Sequence, residues 1–296
     1  MMRRTFVNTL GAAACLLMAG LSPGTASAES RPIVLGQVGL SFYAAVGGVI
    51  HEVLERLGHT VEVRQGPHEQ MFPLLEKKEI DLMVAVWLPE GHAAYWAQYG
   101  KGAQEVTRLY DGARFFWAVP DYVPASEVSS IADLAKPGVA ERMTKLIQGI
   151  GPGATITVVS IKAVRDYGLE PLGYSMQPGT AAQWTGAYDA AIAEKRWIVF
   201  PTWAPQYLNR DGTLRRLEDP RGILGGSNHA SMVAPTERFM QLPQATRNVL
   251  SRVTLDIDSV TEMDWLVNAR KMAPREAAKA WMAANPDRVS SWFKDQ

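Results

Sequence analysis

Two tryptophans stand where a predicted strand runs out, each two residues ahead of a proline: Trp87 in Trp87-Leu88-Pro89 and Trp203 in Trp203-Ala204-Pro205. One such ring alone is most simply core or interface filling. Two in the same setting, near predicted crossovers between two halves of a fold, point to a shared aromatic pocket. The chemistry of such a pocket is recognition, and the sequence offers little for catalysis. The histidines, His51, His59, His68, His92 and His229, make no metal-ligand spacing with one another or with a carboxylate. Gly151-Pro152-Gly153 lacks the lysine and the spacing of a phosphate loop. No serine sits in a nucleophile elbow. Asp256/Asp258 and Glu262/Asp264 fall in a predicted helical tail and are expected to be solvated. A binding protein without cofactor or metal is therefore expected, not an enzyme.

The elements that must position the rings follow from hydrophobic periodicity. Ile33 to Val38 reads as a buried strand. The helix after it carries Val46, Val49, Ile50, Val53, Leu54 and Leu57 on one face and stops at Gly58. Val61-Glu62-Val63 is a second strand, Met71 to Lys78 a helix, and Ile80 to Val86 a strand apolar enough for the middle of a sheet. Strand, helix, strand, helix, strand implies parallel pairing, with ligands at the carboxyl ends of the strands. Those ends are Gly39-Leu40-Ser41-Phe42 and Trp87-Leu88-Pro89. Arg114 to Val119 is a further strand, followed by a short helix from about Ser130 and a helix from Ala154 to Tyr167. A helix from near Thr180 sets Trp184, Ala187, Tyr188, Ala191 and Ile192 on one face, and Trp197 to Phe200 is a strand. After Gly222 the chain is expected to be mostly helical.

Composition narrows the class. Thirty Lys+Arg balance 30 Asp+Glu, so neither nucleic acid nor an anionic membrane is expected as the main partner. Arg3 and Arg4, an apolar run from Leu10 to Leu21 and Ala26-Ser27-Ala28 describe a cleavable export signal over residues 1–28. The twin arginines also allow export in the folded state. The one cysteine, Cys15, lies in that segment, so the mature chain is expected to hold no disulfide or thiolate ligand.

Several stretches, in order along nearly the whole mature chain, carry a family resemblance. They are Asp81-Leu82-Met83-Val84-Ala85-Val86-Trp87-Leu88-Pro89 with His92, Gly149-Ile150-Gly151-Pro152-Gly153-Ala154, and Ile198-Val199-Phe200-Pro201-Thr202-Trp203-Ala204-Pro205-Gln206-Tyr207. Leu217-Glu218-Asp219-Pro220-Arg221-Gly222, Pro274 to Trp281 and Asn285 to Val289 complete the set. Together they resemble the glycine betaine, choline and proline betaine binding proteins of binding-protein-dependent importers. The resemblance implies an α/β periplasmic-binding-protein fold of type II, two lobes joined by two crossovers, with ligand in the interlobe cleft. It also implies a cage of aromatic rings around a quaternary ammonium, with Trp87 and Trp203 on cage positions and Phe116 where some choline binders carry tyrosine. A trimethylated nitrogen has no N–H to donate, so π faces recognise it, at ~0.5–2 kcal/mol per ring. A ligand carboxylate is expected against the backbone N–H groups of Ser41 and Phe42, at the start of the Tyr43–Leu57 helix.

The chain also departs from that pattern. Leu40 stands where many members have a cage tryptophan, and Phe42 near where choline binders place an acidic residue. Leu255 replaces a further tryptophan, and Gln206 and Tyr207 replace a His/Tyr-Trp pair. Phe42, Tyr43, Phe72 and Trp184 are each either cage or core, and His92 stands where some members use a histidine near the ligand carboxylate. The expected organisation is lobe one at 31–113 plus 204–296 and lobe two at 114–203. A periplasmic monomer that hands a quaternary amine to an inner-membrane ABC permease is the expected role. A less methylated or aromatic amine ligand, and a subunit reporting to a membrane sensor, are the alternatives.

Overall fold

The computed structural model describes residues 1–2 and 31–294; apart from Met1 and Met2, the predicted export signal lies outside the described residues. From Arg31 onward the chain is mixed α/β. β1 (Ile33–Val38) is buried at every position, as a strand covered on both faces must be. α1 (Ser41–Arg56) buries Val46, Val49, Ile50, Val53 and Leu54, and the chain turns away at Gly58 with φ of 82°. β2 (Val61–Gly66), α2 (His68–Glu76) and β3 (Leu82–Leu88) complete the expected alternation, and β1 pairs in parallel with both β2 and β3. α1 lies against α9 (Ile257–Asn268) and α10 (Pro274–Ala284). Gly48 permits that approach, because a Cβ there would lie 2.9 Å from the Ala278 methyl and 3.1 Å from the Pro274 carbonyl.

α3 (Ala93–Tyr99) leads into β4 (Ala103–Pro120), which starts well ahead of the expected Arg114. Next come α4 (Pro137–Arg142), β5 (Leu146–Gln148), α5 (Thr155–Asp166), β6 (Ser175–Gln177) and α6 (Ala181–Ala193). Thr180 caps α6 through a reciprocal box with Gln183. β7 (Phe200–Ala204) and β8 (Leu214–Arg216) follow, then β9 (Asn228–Pro235) and the helical tail of α7 (Thr236–Gln241), α8 (Gln244–Leu250), α9, α10 and α11 (Pro286–Trp292).

The tail is mostly helical, as expected, but it opens with a strand, β9, that the sequence reading does not include. The sheet runs β2-β1-β3-β9-β4-β7, with β8 also on β4, so β9 lies between β3 and β4 and is antiparallel to both. Two apolar cores form. The first holds β1, α1 and β3 with the tail helices and includes Trp87, Trp184 and Trp203. The second gathers Trp117, Val119, Ile131, Ile147, Val164 and Val199. β4 passes through both: Ala103 to Ala113 pairs with β9, Arg114 to Ala118 with β7. The expected division assigns 204–296 to lobe one, yet β8 pairs with Ala118–Pro120, and Leu217 and Leu224 pack in the second core. The second core therefore extends past residue 204.

Leu54 of α1 is fully buried in the first core. Leu54→Ala is expected to cost about 2–5 kcal/mol of stability, read as a lower urea midpoint at unchanged slope. Val63→Ala, at an exposed position, is expected to cost less than about 0.5 kcal/mol.

Candidate functional site

The carboxyl end of β3 is reshaped just before it delivers Trp87. The β3–β9 register shifts between Met83 and Val86, and Ala85 adopts a left-handed φ of 56°, a bulge of the kind that re-aims the next side chains. The Trp87 ring is almost fully buried, and its Nε1–H donates to the Tyr110 hydroxyl at 3.1 Å. Phe115 of β4 lies 5.1 Å from it, centroid to centroid, and Phe42 of α1 lies 5.8 Å away. Trp203 of β7 closes the group 6.0 Å from Phe42. Behind it Trp184 stacks at 4.8 Å and anchors its own Nε1–H on the Pro201 carbonyl at 2.8 Å. The indole N–H of Trp203 is buried without an acceptor among the described residues.

The rings of Phe42, Trp87, Phe115 and Trp203, with Leu40, Tyr43, His68, His92, Ile150, Ala154, Thr155 and Ile156, enclose a cavity of ≈ 20 Å³ whose wall carries no acidic or cationic side chain. A larger open cleft of ≈ 540 Å³ adjoins it, with the β1–α1 and β2–α2 turns on one wall and residues 150–154 and 178–183 on the other. Tyr95 bridges the two walls by donating to the Gly153 carbonyl at 2.8 Å.

Two histidines face the small cavity in different states. Nδ1 of His92 accepts the Trp87 backbone N–H at 2.9 Å. That nitrogen is therefore unprotonated and Nε2 carries the hydrogen, 3.4 Å from the Tyr43 hydroxyl. Burial, with His68 nearby, holds His92 well below the usual imidazole range. Burial likewise lowers His68 to about 4, so both rings are neutral near neutral pH.

Helix ends supply the remaining polarity. Leu40 is the N-cap residue of α1 and Ala154 that of α5; neither helix has a side-chain cap, and neither carries an acidic residue in its first turn. The first amides to bond back are Ala44 to Leu40 and Thr157 to Ala154. Earlier first-turn N–H groups thus remain as donors with the positive end of each helix dipole behind them.

Of the residues singled out from sequence, Trp87, Trp203, Phe42, Tyr43, Leu40 and His92 line the small cavity. Phe116 does not. Strand alternation turns it away from its neighbour Phe115, and its ring lies 5.6 Å from the Arg216 guanidinium. Trp184 backs Trp203 and lines neither cavity, and Phe72 stacks on Tyr95 at 4.6 Å. Gln206 is buried and caps the short turn at Tyr207–Asn209, its Oε1 accepting from Leu208. The Ser41 hydroxyl is taken up by α9, accepting from Asn268 at 2.9 Å, and Ser41 lines neither cavity. Asp264, expected to be solvated, is fully buried beside it; it accepts from the Tyr207 N–H and from Asn268, and burial raises it to about 6. Phe115 and His68 join the site without having been expected there. The strand-end rule points to His68, which follows β2 directly after Gly66-Pro67.

A family model described as the substrate binding domain of ABC-type glycine betaine transport systems matches residues 31–284. A glycine betaine/carnitine transport binding protein of Listeria monocytogenes is 29% identical over 158 residues, covering 53% of this chain. That match spans about half of the relative's own length, 52%. The crystal structure of lactococcal OpuAC, closed on glycine betaine, superposes with TM-score 0.79 at 26% identity, covering 90% of this chain and 100% of that one. A glycine betaine, L-proline binding protein of Borrelia burgdorferi, at 22% identity and TM-score 0.80, shares the fold over 90% of this chain and 97% of its own.

The buried histidines make stability depend on pH. The unfolded chain binds a proton on His68 near the ordinary 6.5, the folded chain only near 4, so stability is lost as pH falls through that window. Asp264, raised from 3.8 to about 6, acts in the opposite sense over much of the same range. The difference between wild type and His68→Leu therefore isolates the histidine. Between about pH 7 and pH 4.5, ligand-free wild type is expected to lose about 2–3 kcal/mol more than His68→Leu in urea unfolding.

Proposed function

Because the chain belongs to the family of substrate-binding domains of ABC-type glycine betaine transport systems, we propose that it is an extracytoplasmic receptor for a small betaine-type zwitterion. It captures the ligand between its lobes and delivers it to an inner-membrane permease. The observation that supports a zwitterion is the uncharged aromatic cavity beside two uncapped helix N-termini. Rings of Trp87, Trp203, Phe42 and Phe115 take the methylated nitrogen through their π faces. First-turn amides of α1 and α5 take the carboxylate. A cation such as choline brings no carboxylate for those amides and meets no acidic side chain on the cavity wall. At ≈ 20 Å³ the pocket has room for about one water, so the rings around it must part to admit a ligand.

The ≈ 540 Å³ cleft supports a second reading, the same receptor role with a longer amine whose tail lies along Gln65, Glu69, Thr180 and Gln183.

Calorimetry on refolded, ligand-free protein decides between them. Glycine betaine, proline betaine, carnitine, choline and the less methylated glycines form the panel. Glycine betaine is expected to bind more tightly than choline. Trp87→Ala and Trp203→Ala are each expected to weaken it by roughly 2- to 30-fold, the worth of one ring. Silence from every quaternary compound overturns the betaine reading, and a preference for carnitine favours the longer ligand.

A further inference from the structure

Asp264 of α9 is fully buried, and among the described residues no arginine, lysine or histidine forms an ion pair with it. Burying a carboxylate without a counter-ion is costly unless hydrogen bonds replace the water it gives up. Those bonds come from three groups. The Tyr207 backbone N–H donates to Oδ2 at 2.8 Å, the Asn268 side chain donates to Oδ1 at 3.0 Å, and the Ser41 hydroxyl completes the set. Asn268 also donates to the Ser41 oxygen at 2.9 Å, which leaves the Ser41 hydrogen for the carboxylate.

Two of these partners adjoin the rings of the small cavity. Ser41 is the first residue of α1 and stands between Leu40 and Phe42, both on the cavity wall. Tyr207 opens the short turn Tyr207–Asn209, just after Trp203, and Asn209 donates back to the Trp203 carbonyl at 2.8 Å. Asp264 thus fastens the start of α1 to the segment that leaves Trp203, and so holds together the two elements whose rings, Phe42 and Trp203, lie 6.0 Å apart. It does so from a helix that lines neither the small cavity nor the cleft beside it.

We propose that Asp264 is a positioning residue for ligand binding: its carboxylate clasps the start of α1 to the turn after Trp203, and ligand is bound tightly while that clasp is intact. The proposal rests on the receptor reading of the site, with glycine betaine as its probe. The clasp responds to pH. Hydrogen bonds to an ionised carboxylate are about twice as strong as neutral ones, and burial raises Asp264 to about 6. Above that pH the carboxylate is charged and the clasp holds; as pH falls through it, the group gains a proton and the clasp loosens. Tyr110 of β4 and Tyr207 of the turn are raised by burial and stay neutral. Glu262 of α9 pairs with Arg210 at 3.1 Å, and Arg210 and Arg270 lie over the Trp265 ring. Arg275 of α10 pairs with Glu52 and Glu55 of α1, and His51 with Glu55. The pocket histidines gain protons at lower pH, His68 at about 4 and His92 well below the usual imidazole range.

Calorimetry with glycine betaine on wild type, Asp264→Asn and Ser41→Ala tests the clasp. Wild type is expected to bind ~3-fold more weakly at about pH 5.5 than at about pH 7.5. Asp264→Asn, which mimics the protonated acid, is expected to bind ~10-fold more weakly than wild type at the higher pH, with no further loss at the lower one. Ser41→Ala removes one partner and keeps the carboxylate, so a smaller loss with the pH response retained is expected. Near-UV circular dichroism of the ligand-free proteins reads the packing of the rings directly. It is expected to change between the two pH values in wild type and to stay constant in Asp264→Asn. A wild-type affinity that is the same at both pH values overturns the proposal, as does an Asp264→Asn protein that keeps the wild-type affinity or the wild-type pH response. If Asp264→Asn does not fold, the profiles of wild type and Ser41→Ala decide. If wild type binds no betaine at either pH, the ligand reading falls, and the near-UV spectra alone uphold or overturn the clasp.

Discussion

The backbone pairing of β4 sets the geometry of the pocket. Along its first half β4 is laced to β9, which is itself laced to β3, the strand that ends in Trp87. Along its second half it pairs with β7, which places Phe115 opposite Trp203. The rings of Trp87, Phe115 and Trp203 are therefore held by one continuous antiparallel ladder. Register in such a ladder is discrete, because a slip of one residue turns every side chain to the opposite face. A slip in the second half of β4 would present Phe116 to the pocket and withdraw Phe115.

The polar groups around that ladder are arranged so that none of them is a charge facing the rings. Tyr110 receives the Trp87 indole, His92 receives the Trp87 amide, and Pro201 receives the Trp184 indole. Burial keeps both histidines neutral, and Asp264 is set behind α1 with Ser41, Asn268 and the Tyr207 amide around it. Under the proposed function this neutrality has a use. A charged side chain in so enclosed a space would dominate the recognition of a small zwitterion, whereas π faces and helix ends each meet one half of it without an ion to desolvate.

Much of this arrangement is legible in the amino-acid sequence. β1 coincides with the run Ile33–Val38, α1 ends at the expected glycine, and the Thr180 cap opens α6. The strand-end rule also leads to Trp87, Leu40 and Phe42. β9 is hidden because Asn228-His229-Ala230-Ser231-Met232-Val233-Ala234-Pro235 mixes polar and small residues with few large apolar ones. The first half of β4 is hidden for a related reason, since Gln104, Glu105, Thr107 and Arg108 mask a strand whose partners are distant in sequence. Trp184 and Phe72 have the composition of cage residues and serve as support behind it.

The elements and the ring types are encoded locally, because periodicity, caps and strand-end prolines are set by residues close together in the chain. Motifs in a fixed order likewise carry the family in the sequence alone. Long-range packing, by contrast, set which of Phe115 and Phe116 faces Trp87, committed the side chains of Ser41 and Gln206 to the scaffold, and placed His68 at the mouth of the pocket. Each of these depends on the register and packing of segments far apart in the chain. Neighbouring residues do not specify such contacts, because the same local pattern fits either face of a strand until its partner fixes it.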